Sequence, residues 1–422
     1  MKIVMSARGS RGDVMPIVAV GARLLRQGHD VTVCVPTLFE QAVRERGLRP
    51  ALYPEDARQM MEGFGSGWSG LKRTLAWVSR TIDEQHGLLV RESDGADLLV
   101  TGTNEVGAPC VAEYRGVPHY RITFGPMMVG YQDHPLLPWQ GLPPLVNRAA
   151  WVLINGGLEL MVRGPLNRNR ASLGLPPLRG IGEWVARFGH TLFAMNTTLA
   201  PPCHSWGRTY EFTYTGYCHE PAEGALPQEL ERFIEGGTPP VYIGFGSVSL
   251  KDPAAFTRMV LDAVVLSGQR VVLGAGWTGL GRGAVSDRVF VVGDLPHTVL
   301  FPRMAAVLHH GGAGTTHTVA KAGVPQLVMP QFADQFYWGH RVRALGLGPE
   351  PVSPARLSSR KLARVLRTLV QDRRFARHAA ALGHAMRDED GVASIVAVIE
   401  AREGHGRAPA RSQGRLEVAA SS

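Results

Sequence analysis

The chain has 422 residues with 45 Lys and Arg against 36 Asp and Glu, a formal net charge of +9, and 45% hydrophobic and 19% charged residues. That length allows two or three domains, each with its own core, and the balance is that of a globular protein rather than a disordered or fibrous one. No block of Lys and Arg interleaved with aromatics speaks for nucleic acid, and no run of eighteen apolar residues speaks for a spanning helix.

The four cysteines, Cys34, Cys110, Cys203 and Cys218, have no CxxC spacing. Neither a zinc site nor a disulfide framework is expected, and reduced thiols in a cytoplasm are. The apolar start of the chain is too short for a signal peptide.

Residues 2–7 read as a strand, 8–13 as a loop and the following stretch as a helix. Its apolar face is Val14, Ile17, Val18, Leu24 and Leu25, Pro16 lies in its first turn and Gly28 ends it. Residues 30–35 are the next strand, so the chain opens with a βαβ unit and a parallel sheet. The loop lacks GxGxxG spacing, which disfavours a dinucleotide fingerprint. Asp13 stands beyond the carboxyl end of a parallel strand, where ligands bind in such sheets. From spacing alone it reads as a helix N-cap or as a site carboxylate.

Residues 54–78 carry Gly63, Gly65, Gly67 and Gly70 and predict a mobile loop, then a helix near 71–80. Strands are expected at 97–101 and 117–123. Residues 124–144 are rich in Pro, Met and aromatics, among them Met127, Met128, Tyr131 and Trp139. They read as ordinary loop packing or as an adaptable apolar lining. A helix at 151–163 and a strand at 191–196 follow. Pro and Gly punctuate 201–240, where the connection between domains is placed.

The strand pattern restarts at 240–245, leading to Gly246 and Ser247, with a helix at 254–266. The strand 270–273 runs into Gly274-Ala275-Gly276-Trp277-Thr278-Gly279, a formal GxGxxG. More glycines follow, so no helix opens there, and the dinucleotide reading fails. A strand at 289–292 leads to Pro296 and His297 and a helix at 298–304.

The strand 305–308 precedes His309-His310-Gly311-Gly312-Ala313-Gly314-Thr315-Thr316, and a helix is expected at 316–322. A helix start offers unpaired N–H groups and partial positive charge, and glycines let an anion approach the backbone. This reads as a diphosphate seat or as a plain strand–helix turn. The next strand, 324–330, decides between them, because Asp334-Gln335 lies just past its end. A carboxylate and an amide suit adjacent sugar hydroxyls. A phosphate seat beside a hydroxyl reader points to a nucleotide-sugar. Basic amphipathic helices at 357–371 and 374–387, and another from Gly391, complete the pattern.

The run His310-Gly311-Gly312-Ala313-Gly314-Thr315 followed by Asp334-Gln335 resembles the donor signature of family 1 glycosyltransferases, most closely their bacterial natural-product branch and the sterol glucosyltransferases. The resemblance implies an α/β GT-B fold, two Rossmann-like doubly wound domains facing across a cleft. The expected division is 1–215 for the acceptor domain, 216–238 for the linker, 239–388 for the nucleotide-sugar domain, 389–402 for a helix crossing back, and 403–422 for a disordered tail. It further implies an inverting, metal-independent transfer of a hexose to a hydroxyl of a hydrophobic small molecule such as an antibiotic aglycone. UDP-sugar is favoured over dTDP-sugar because the run from Pro296 to Pro302 is similar to the sterol-glucosyltransferase pattern.

No cofactor is implied, since the nucleotide-sugar is a co-substrate. In the family the first loop carries the base, usually His in Gly-His-x-x-Pro; here Gly12-Asp13-Val14-Met15-Pro16 puts Asp13 in that place. An unperturbed Asp has a pKa of roughly 3.9, so burial or a neighbour has to raise it. The resemblance assigns donor contacts to Ser10, Gly12, Ser247, Trp277, Pro296, His297, His310, Gly312, Ala313, Gly314, Thr315, Asp334 and Gln335. The acceptor pocket is expected at Met127, Met128, Tyr131 and Trp139. Three rivals stand beside this reading. A nucleotide-sugar 2-epimerase shares the fold but needs no acceptor lining. A silent binding protein is expected to lack Asp13 or Asp334-Gln335. A sterol or lipid glucosyltransferase at a membrane surface is allowed by the basic balance, though no strongly apolar amphipathic anchor stands out.

Overall fold

A computed structural model describes residues 1–53, 67–126, 139–202, 211–219, 224–245, 252–275, 282–354, 357–403 and 417–418. The N-terminal half alternates strand and helix: β1 (Lys2–Ser6), α1 (Arg11–Arg26), β2 (Asp30–Pro36), α2 (Glu40–Arg44), β3 (Arg49–Tyr53), α3 (Gly67–Glu92), β4 (Leu98–Thr101), α4 (Ala108–Arg115), β5 (His119–Thr123), α5 (Pro144–Ser172), α6 (Ile181–Val185), β6 (His190–Phe193) and β7 (Phe212–Tyr214). The C-terminal half repeats it: α7 (Gln228–Glu235), β8 (Val241–Gly244), α8 (Pro253–Ser267), β9 (Val271–Gly274), β10 (Gly283–Ser286), β11 (Val289–Val292), α9 (His297–Leu300), β12 (Ala306–His309), α10 (Ala313–Lys321), β13 (Gln326–Val328), α11 (Gln335–Ala344), α12 (Ser359–Gln371), α13 (Arg373–Ala385), α14 (Gly391–Glu403) and β14 (Glu417–Val418).

The sequence pattern and the structure differ in several places. Arg49–Tyr53 is an unforeseen edge strand. Gln228–Glu235, inside the stretch read as linker, is a helix that buries Leu230 and Ile234 against Tyr242, Val272 and Phe290 of the second sheet. Helices α3 and α5 are far longer than expected. Glu417–Val418, in the tail expected to be disordered, pairs with Thr213–Tyr214 at the sheet edge.

Two sheets result, ordered β14-β7-β6-β5-β4-β1-β2-β3 and β10-β11-β9-β8-β12-β13. Every adjacent pair is parallel except the β10–β11 hairpin. Among the described residues the strand after β9 is β10, and most of the formal GxGxxG, from Gly276 on, lies outside them. The order reverses at β1 in the first sheet and at β8 in the second, and such reversals open a crevice beyond the strand ends.

The first core joins Ile3 and Met5 of β1 to Val14, Ile17 and Val18 of α1, and it is closed by Ile395, Val396 and Ile399 of α14. Each such side chain contributes roughly 1.5–3 kcal/mol by burial. The last helix therefore belongs physically to the first sheet. A polar knot ties the halves where α14 begins. Glu389 accepts from Asn196 Nδ2 at 2.7 Å and from the Tyr217 N–H at 3.0 Å, and Lys321 Nζ gives to the Glu389 carbonyl at 2.5 Å. Burial works against its charge, but these donors and nearby His219 hold the Glu389 carboxyl at about 2. Arg341 of α11 adds bonds to the carbonyls of Leu199 (2.8 Å) and Thr198 (2.9 Å).

Candidate active site

After β1 the chain turns through Gly9, whose φ is +127°, into α1. A Cβ at Gly9 would lie 2.5 Å from Asp13 Oδ2 and 2.9 Å from Asn104 Nδ2, so the loop passes this closely only as glycine. Ser10 precedes the helix and Asp13 is its third residue. The Ser10 N–H and the Ser10 hydroxyl both donate to Asp13 Oδ2 at 2.8 Å. Asp13 is thus not the N-cap; it is the reciprocal acceptor that holds the Ser10 backbone. Among the described residues, no hydrogen bond falls on Oδ1. Burial pushes the Asp13 carboxyl above its ordinary value of 3.8, against the two Ser10 bonds. The loop is fixed from below by Asn104 Nδ2, which donates to the Arg8 carbonyl at 2.9 Å.

Under that loop lies an acid the sequence did not mark. Glu105 is 4% exposed, with the Tyr53 hydroxyl 3.5 Å away; that hydroxyl is in turn 2.8 Å from Ser6 Oγ. Burial raises Glu105 to about 7, and the Arg8 charge only partly offsets it. The Arg8 guanidinium sits 4.5 Å over the Tyr53 ring and 3.2 Å from Glu84.

In the second sheet β12 ends at His309, which is fully buried. Its Nδ1 accepts from the Gly311 N–H at 3.0 Å, so Nε2 carries the proton and donates to Gln326 Oε1 at 2.9 Å. His309 is a neutral brace, held down at about 3 by burial and by the neighbouring His310. His310 is half-buried, and its Nδ1 is buried without a hydrogen-bond partner. Burial and His297 lower it to about 4, so it is a neutral ring at pH 7.

The glycines here are required by space. Gly311 has φ +94°, and a Cβ there would meet Val328 Cγ1 at 2.5 Å; one at Gly312 would meet His310 Nε2 at 2.6 Å. Helix α10 begins at Ala313, three residues earlier than the pattern suggested. Ala313, Gly314 and Thr315 are therefore its first turn, where backbone N–H groups have no intrahelical partner. Thr316 turns inward and donates to the Gly312 carbonyl at 2.9 Å. Tyr217, from beyond β7, brings its hydroxyl to 2.6 Å from where a Gly314 Cβ would stand.

The same turn is anchored from inside by His317. Its Nδ1–H donates to the Ala313 carbonyl at 2.8 Å and its Nε2 accepts from the Asn196 N–H at 3.2 Å. Its ring stacks on Tyr217 with centroids 4.6 Å apart.

Past β13 the loop passes Ala333, at φ +52° the one non-glycine residue with positive φ among the described residues. Such strain gathers at functional sites. Asp334 is half-buried and accepts from Trp338 Nε1 at 2.9 Å. Burial lifts it to about 6; Trp338 pulls the other way, and the charge of Asp13 adds to the rise. Asp13 and Asp334 each stand beyond the carboxyl end of a parallel strand, one from each sheet. Gln335 is buried, and its Oε1 accepts from the N–H of Gln331 (2.8 Å) and Phe332 (3.3 Å). Its oxygen shapes the loop, a duty the sequence reading did not assign.

Pro296 and His297 open α9, with His297 stacked on Phe301 at 4.4 Å. Beside them Asp294 pairs with Arg11 across the cleft at 3.0 Å. Both side chains are exposed, so this bond is worth at most about 1 kcal/mol. Gly12 lies at the exposed start of α1, next to Asp13. Ser247, Trp277, Met127, Met128 and Tyr131 lie outside the described residues. Trp139 is 65% exposed, not enclosed in a pocket of described residues. Among the described residues no group of three His, Cys, Asp or Glu could hold a metal ion.

Residues 258–401 match the family described as erythromycin biosynthesis protein CIII-like, C-terminal domain, and residues 3–79 match the glycosyltransferase family 28 N-terminal domain. A vancomycin aglycone glucosyltransferase of Amycolatopsis orientalis is 32% identical over 93% of this chain and 96% of its own. A sterol 3-beta-glucosyltransferase of Arabidopsis thaliana is 33% identical over 94% of this chain and 67% of its own. The crystal structure of CalG4, the calicheamicin glycosyltransferase, superposes with a TM-score of 0.72 at 18% identity, covering 96% of this chain and 99% of that one. The chain belongs to the family 1 glycosyltransferases of GT-B fold, in their bacterial natural-product branch.

Proposed function

We propose that the protein transfers a hexose from a nucleotide-sugar to a hydroxyl of a hydrophobic small molecule, an antibiotic aglycone or similar secondary metabolite, with inversion at the anomeric carbon. The observation that carries this reading is that Asp13, the first turn of α10 and Asp334 all stand beyond the carboxyl ends of parallel strands, with Arg11 of the Asp13 loop bonded to Asp294 of the second half. Asp13 takes the acceptor hydroxyl's proton as that oxygen bonds to the anomeric carbon. The bond from that carbon to the diphosphate oxygen breaks on the opposite face. Its raised pKa supports the role, because a base works best near the operating pH. Oδ2 is held by Ser10, which leaves Oδ1 for the proton.

The charge that develops on the diphosphate is met by the N–H groups of Gly314 and Thr315, by the Thr315 hydroxyl and by His310, with Ser247 assigned from the sequence. Donors set in advance around a growing anion are the largest catalytic lever of most sites. His310 is neutral, so it serves as a hydrogen-bond donor rather than a cation. Asp334 and the Gln335 amide group hold the sugar hydroxyls, and Pro296 and His297 meet the base. The chain's own groups supply all of this chemistry, and no cofactor is proposed. UDP is the favoured carrier, on the likeness of residues 296–302 and on relatives named as glucosyltransferases.

The test is binding of UDP and dTDP, then transfer from UDP-glucose to hydrophobic acceptors, by wild type, His310→Ala and Asp13→Asn. The expected result is UDP binding weakened by His310→Ala, and a kcat loss of about 10²–10⁴ with binding retained for Asp13→Asn. A dTDP preference moves the donor to another sugar class. Full activity in Asp13→Asn overturns the assigned base.

A further inference from the structure

Helix α5 is apolar on two opposite sides. One side faces in: Trp151 and Val162 are buried and Ile154 and Leu158 pack against them. The other faces out. Leu145 is 76% exposed, Leu153 77% and Leu160 83%, with Val146 and Val152 also exposed. At 100° per residue these five fall on one face, centred opposite the buried one. Residues 149–158 hold no charged side chain, and Ala149, Gly156 and Gly157 fill the face between the larger ones. A folded chain exposes single apolar residues routinely, but a continuous apolar face marks an interaction surface.

What that face meets is argued from charge and place. Helix α3 lies against α5, with Arg168 Nη2 2.6 Å from Ser79 Oγ. It adds exposed Leu75, and Lys72, Arg73 and Arg80 are exposed on it, as Arg148 is on α5. The acids of this surface, Glu159 and Asp83, are already paired to Arg163 and Arg168. An apolar face flanked by an excess of positive charge fits an acidic, apolar partner, and two copies of a +9 chain repel.

We propose that the exposed face of α5, with the basic residues of α3 and α5, seats the protein on an anionic lipid bilayer. The apolar side chains enter the headgroup boundary and the basic ones meet lipid phosphates and carboxylates. The sequence pattern concealed this, because apolar residues on both sides of a helix leave no polar alternation to read. The proposal does not depend on the donor or on the acceptor's identity.

The experiment is sedimentation of the full chain with vesicles of phosphatidylcholine alone and with phosphatidylglycerol added, at low and high salt. The same is done for Leu153→Glu/Leu160→Glu and for the milder Val152→Ser/Leu153→Ser. Both change only exposed side chains, and circular dichroism and nucleotide binding check that each stays folded. Wild type is expected to pellet with the phosphatidylglycerol vesicles, less so at high salt. The glutamate pair is expected to bind them roughly tenfold more weakly or worse, the serine pair in between. No binding of wild type to anionic vesicles overturns the proposal, as does equal binding by the glutamate pair. A wild-type dimer that the glutamate pair turns into a monomer also overturns it and makes the face a self-interface.

Discussion

Glu105→Gln tests the buried acid under the Asp13 loop. Burial moves this carboxyl from 4.5 to about 7 against the opposing charge of Arg8. A raised pKa means that the folded state holds the proton more tightly than the unfolded one. The stabilisation is full below 4.5 and is lost as pH rises through 7, a change of about 3 kcal/mol over the whole range. Glutamine occupies nearly the same volume and has no proton to lose. Urea unfolding of wild type and variant at pH 5 and pH 8 reads the difference directly. The variant is expected to gain about 2–3 kcal/mol on wild type between the two. If Glu105 is instead an ionised partner of Arg8, glutamine costs stability at both pH values, and most at pH 8. That outcome, or parallel behaviour of the two proteins, refutes the reasoning.

Gly312→Ala places a methyl group 2.6 Å from His310 Nε2, so the ring must swing out of the turn proposed to seat the diphosphate. UDP is expected to bind about tenfold more weakly with the fold intact, and an unchanged affinity dissociates this turn from the donor. Asp334, at about 6, is the proposed acceptor for sugar hydroxyls, and it accepts most strongly when ionised. The donor KM is expected to rise as pH falls from 7 to 5 in wild type. In Asp334→Asn the KM is expected to be high throughout and flat over that range. A wild-type KM that is flat there removes Asp334 from donor binding.

The alternating α/β order was legible because the strands are short apolar runs and the turns are glycine-rich; residues 306–323 state strand, turn and helix almost in plain text. Three features were not. Arg49–Tyr53 carries an Arg and a Pro and, as an edge strand, needs partners on one side only, so its local signal is weak. The start of α10 was read late because Gly312 and Gly314 argue for a turn by propensity, while the structure needs them for close approach. Helix α5 runs through Gly156, Gly157, Gly164 and Pro165, each of which reads as a break.

The site divides in the same way. Asp13, His310 and Asp334 carry local signatures beyond strand ends. Tyr217, His317, Asn196 and Glu389 meet only in three dimensions, across up to 193 residues of chain. Nothing in their neighbours in sequence distinguishes them from surface polar residues.

The return of α14 to the first sheet has a bearing on how the protein is made. A ribosome releases β1, α1 and the rest of the first sheet long before Ile395, Val396 and Ile399 exist to cover them. Domains otherwise tend to fold as units from the N-terminus during synthesis. Here the growing chain holds an open apolar flank of α1 through the whole of the second half. The first sheet can be finished only after the second has emerged, so the order of completion runs against the order of translation, and the unfinished flank is what a chaperone would hold in the interval.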